Sequence, residues 1–145
     1  MIIVKKQNVS AIFLLFIGLS SLYCSDIGDA VDPNAIALEG TWNWIKSVGG
    51  IVVMVITPET AGYTQSFRFT KGGTFSYLRN DVLYADGRFL LSHEQGGLIM
   101  TFTNLNIHHG DYFRIPKVGV SIVGDTLVIN DLVIDGYFHT YNKAH

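Results

Sequence analysis

The sequence predicts an all-β domain, with about eight antiparallel strands running up and down around a barrel. Three observations lead there. From Glu39 onward apolar and polar residues alternate with period two, glycine and aspartate interrupt the alternation at short intervals, and helical spacing is hard to find. Such alternation gives each strand one dry and one wet face, as antiparallel sheets require.

The strands follow in order. Residues 41–47 are the first. In 63–70, Phe67 and Phe69 share one face while Ser66, Arg68 and Thr70 take the other. Lys71-Gly72-Gly73 then turns the chain, and Phe75 and Tyr77 continue an aromatic face, so 63–79 reads as a hairpin. Further runs cover 82–92, with Asp86-Gly87 as a turn or bulge inside it, then 98–105, 112–115, 117–123, 126–130 and 137–143. Leu98, Met100 and Phe102 share a side against Thr101 and Thr103, as Val118, Val120 and Ile122 do against Gly119 and Ser121. Gly124-Asp125 is the clearest tight turn. Closing eight strands into a barrel removes exposed edges; a two-sheet sandwich satisfies the same count.

The chain's 145 residues fit one domain. An apolar share of 48%, with 15 glycines, exceeds what a disordered chain carries. A net charge of −2 and a charged fraction of 15% exclude the basic stripe that a nucleic-acid binder needs.

Residues 1–23 have the build of an export signal: Lys5 and Lys6 precede an apolar stretch from Ala11 to Leu19, too short for the ~20 residues of a membrane-spanning helix. Cys24 follows and is the only cysteine, so no internal disulfide can form. Its place after the apolar stretch resembles a bacterial lipoprotein signal, which implies acylation of Cys24, a membrane anchor and residence in the cell envelope. Ser21 and Tyr23 depart from that pattern; cleavage near Ala30, giving a soluble secreted or periplasmic protein, is the alternative. Residues 24–37 read as a flexible tether with three aspartates and Pro33, ahead of a barrel domain over 38–145.

Leu38-Glu39-Gly40-Thr41-Trp42 opens that domain with Gly-x-Trp, followed by Phe69-Thr70-Lys71-Gly72-Gly73-Thr74-Phe75, Gly124-Asp125-Thr126-Leu127 and Asp135-Gly136-Tyr137. This order resembles the lipocalin-like domains of bacterial lipoproteins, over about residues 38–143. The resemblance implies that Gly40 and Trp42 pack one barrel end, with Lys143 over the indole where the family often has arginine. It also implies a small apolar ligand in the interior, and Phe67, Phe69, Phe75, Tyr77, Met100 and Phe102 are the candidate lining. The same six side chains fit equally a filled interior, in which case the barrel is a structural module presenting its loops to a protein or surface partner.

Catalytic chemistry is not evident. Gly-x-Ser-x-Gly and His-Glu-x-x-His are absent, and the aspartates mostly sit in turns. His108 and His109 lack the spaced partners of a zinc motif and read as a solvated turn. No enzyme activity, metal or cofactor is expected. The apolar run 51–56, between the first two barrel strands, is expected to line or lid the open end, or else to be an ordinary strand extension.

Overall fold

The computed structural model describes residues 33–110 and 116–145. The export segment, Cys24 and the strand expected at 112–115 lie outside them. Among the described residues nine strands make one sheet: β1 (Gly40–Gly49), β2 (Met54–Ile56), β3 (Gln65–Phe69), β4 (Thr74–Arg79), β5 (Val82–Glu94), β6 (Gly97–Ile107), β7 (Lys117–Val123), β8 (Thr126–Asn130) and β9 (Tyr137–Lys143). From β3 to β9 each strand pairs antiparallel with the next, and β1 joins β3 on one side and β9 on the other. That seam closes an eight-stranded antiparallel barrel, the architecture of the lipocalin-like fold, and removes the sandwich alternative. The short β2 pairs with the far end of β1 through Ser47↔Ile56, Val48↔Val55 and Gly49↔Met54.

Turn chemistry sets the hairpins. Asn80 and Asp81 both take left-handed conformations, φ 48° and 62°, as a two-residue type I′ turn requires. At Asp86-Gly87 β5 runs on without a turn, and the bulge there belongs to β6, where Asn104 (φ 49°) and Leu105 stand opposite the single Gly87. A second bulge, between Trp44 and Lys46, matters more. It skips Ile45, so Trp42, Trp44 and Ser47 all end up buried facing the interior.

Two short helices escaped the sequence reading. The segment read as a tether ends in α1 (Pro33–Leu38), whose Leu38 is fully buried. Helix α2 (Pro58–Ala61) is capped at Thr57, which exchanges hydrogen bonds with Thr60, and stops at Gly62 with φ 74°.

The barrel has two unlike ends. The floor carries α1, the turns β3–β4, β5–β6 and β7–β8, and the C-terminus. The rim carries residues 50–64, the β4–β5 turn, residues 108–110 after β6, and residues 131–136.

Candidate functional site

The six side chains proposed as a ligand lining all face inward, and all are buried. They also touch one another. The Phe67 ring lies 5.3 Å from Phe69, 5.1 Å from Tyr77, 6.2 Å from Phe102 and 5.5 Å from Tyr141, centre to centre. Phe75 and Phe102 are 4.7 Å apart, and Met100 is fully buried in the same cluster. These are the spacings of rings in direct contact. A closed eight-stranded barrel is compatible with holding a small ligand; these rings occupy the centre of this one.

At the floor, Trp42 Nε1 donates to the Leu38 carbonyl at 2.7 Å, so α1 is pinned beneath the barrel. Lys143, the cross-strand partner of Trp42, sets its Nζ 5.3 Å from the indole centre. Gly40 makes room for it, since a Cβ there would sit 3.0 Å from Lys143 Cε. Gly40, Trp42 and Lys143 are thus brought together.

Near the rim the fold assembles a polar chain that the sequence did not reveal. An indole N–H can only donate, so Ser47 Oγ accepts from Trp44 Nε1 at 2.9 Å, and the same hydroxyl lies 2.7 Å from His139 Nδ1. An ionised carboxylate can only accept, so His139 Nε2 donates to Asp131 Oδ1 at 3.1 Å, and in the neutral ring Nδ1 is then the atom that accepts from Ser47. Asp131 Oδ2 accepts the Tyr137 N–H at 3.0 Å. Burial disfavours the Asp131 carboxylate, but hydrogen bonds from His139 and the Tyr137 backbone outweigh it and hold the carboxyl below its ordinary range. Serine, histidine and aspartate in this order are the groups of an activated nucleophile. Here, however, Ser47 is only 4% exposed, and the backbone of Gly136 and Tyr137 packs against Gly49, the next inward position. The arrangement braces β1, β9 and the connection that carries Asp131.

The other histidines go separate ways. His108 Nε2 meets Asp86 Oδ2 at 2.7 Å, while the His109 ring lies 5.3 Å from Tyr84. Hydrogen bonds from Asn106 and then His108 lower the Asp86 carboxyl. Among the described residues no three His, Cys, Asp or Glu side chains gather as a metal site.

The expected lid is divided. Ile56, Ala61 and Tyr63 pack against the core, and the Arg79 guanidinium lies 3.4 Å from the Tyr63 ring centre, so this stack covers part of the rim. Residues 51–55 do the opposite and project outward. Comparison with family models, curated proteins and solved structures returns no match. The site therefore rests on geometry alone, and its most unusual feature is this projecting surface. Ile51 is 86% exposed and Val52 77%, while Ile134 on the neighbouring connection is 93% exposed beside Leu132 and Val133. The two loops meet where Gly50 N–H donates to the Gly136 carbonyl at 3.4 Å. Val82, Leu83 and Ile107 are exposed at the same end. The described floor segments expose far fewer large aliphatics, Ile36 and Val123.

Proposed function

We propose that this chain is a lipid-anchored cell-envelope protein whose filled barrel is a scaffold and whose rim is an interaction surface. One observation carries the reading: aromatic side chains occupy the interior, while uncharged aliphatic side chains are held in water on two adjoining loops. Exposing large aliphatics forgoes about 1.5–3 kcal/mol for each one that burial would recover, and contiguous patches of this kind mark contact sites. Replacing Ile51, Val53 and Ile134 together by serine tests it. The expected result is an unchanged unfolding midpoint with loss of the protein's association in cells; unchanged association would overturn the proposal. The anchor is tested by mass spectrometry of the mature amino terminus, with a diacylglyceryl mass on Cys24 that disappears in Cys24→Ser.

The lipocalin-like architecture supports a second reading, a carrier of a small apolar molecule. It requires Phe67 and Phe102 to part. An organic extract of purified protein containing a stoichiometric apolar compound would favour the carrier.

A further inference from the structure

The rim's charges say what kind of partner it fits. Its described connections hold Glu59, Asp81, Asp131 and Asp135, against Arg79 at the rim end of β4, whose guanidinium lies over the Tyr63 ring. Asp131 is used internally by His139 and Tyr137, whereas Glu59, Asp81 and Asp135 are exposed around the projecting aliphatics. We infer that the rim docks a protein surface that is apolar at its centre and basic at its margin. The inference rests on the interaction-module reading above. Complementary charges at the edge of an apolar contact steer encounter and reject wrong partners.

Two other occupants fit less well. An anionic lipid surface is repelled by an acidic margin. The described chain also begins with α1 on the floor, at the end opposite the rim. A second copy, meeting rim to rim about a two-fold axis, would set the same acidic margin against itself.

The experiment uses the full chain in its own cells, with a photo-crosslinking amino acid at Val53 or Ile134 and a control at Val123 on the floor. The expected result is a protein adduct from both rim positions and none from Val123. Its crosslinked peptide should be apolar with lysine or arginine alongside. Combining Glu59→Gln, Asp81→Asn and Asp135→Asn should cut adduct yield about tenfold at low salt, while Asp125→Asn on the floor leaves it unchanged. Asparagine tolerates the left-handed backbone of Asp81 (φ 62°) and Asp135 (φ 60°), and an unchanged thermal midpoint verifies the fold of the triple variant. An adduct of phospholipid mass, one with a second copy, a partner peptide lacking basic residues, or a yield indifferent to the triple substitution would each overturn the inference while leaving a rim contact in place. Absence of any adduct from Val53 and Ile134 removes the interaction-module reading as well.

Discussion

Lys143 lies across the barrel seam from Trp42, its Nζ 5.3 Å from the indole centre, and also reaches the Ala37 carbonyl at 3.4 Å. One flexible side chain thereby ties the last strand, the first strand and α1 together. Lys143→Ala should cost about 0.5–1 kcal/mol and Lys143→Arg should recover it, because a guanidinium stacks at least as well on an indole. Trp42→Ala, which empties a fully buried site, should cost about 3–5 kcal/mol. Urea unfolding midpoints check all three.

The Ser47–His139–Asp131 chain predicts a pH dependence of definite sign. The Asp131 carboxyl is held below its ordinary value, so the stability it contributes is fully present above pH ~4 and is lost as pH falls through the lowered folded-state value. Asp131→Asn should therefore be less stable than the wild type at neutral pH, and the gap should close on acidification. A gap that persists at pH ~2 would show that Asp131 acts through packing rather than charge.

How much of this was legible beforehand differs by element. The strands were readable because each presents its own alternation, and 63–79 paired as expected, with Phe67 opposite Tyr77. The polar chain was not, for a local reason. Counting by twos from Trp42 and Trp44 places Lys46 inward and Ser47 outward; the bulge reverses that parity, and nothing in the sequence marks it. Helix α2 is too short for periodicity, although Thr57-Pro58-Glu59-Thr60 followed by Gly62 carries capping signals that could have located it. For 51–55 the composition was plain and the direction was not: an apolar run looks the same whether it covers a barrel mouth or projects from it.

Gly49 should be intolerant of any side chain. A Cβ there would collide with the Gly136 carbonyl oxygen and sit 2.8 Å from Tyr137 Cα, both backbone atoms that cannot rotate away. Gly49→Ala should destabilise by about 1–3 kcal/mol through overpacking. Gly62→Asn, where nothing lies within 4 Å and φ is 74°, should be mild. Thermal unfolding of the pair provides the comparison.

Truncations inside and outside the barrel should separate cleanly. Phe67→Ala removes a ring in contact with Phe69, Tyr77, Phe102 and Tyr141 and should cost about 3–5 kcal/mol. Ile51→Ser or Ile134→Ser should change stability by no more than about 0.5 kcal/mol, since neither side chain is packed. A stable Phe67→Ala protein that takes up a hydrophobic dye would reveal latent interior space.

Because β1 finds its second neighbour only in β9, the strands at both chain ends must meet, joining positions roughly a hundred residues apart. A chain cut before Tyr137 would have two open sheet edges and no floor clamp from Lys143. Barrel closure therefore waits on the longest-range pairing in the fold, and a chain in which β9 has not yet docked holds an unclosed sheet prone to pairing with its neighbours.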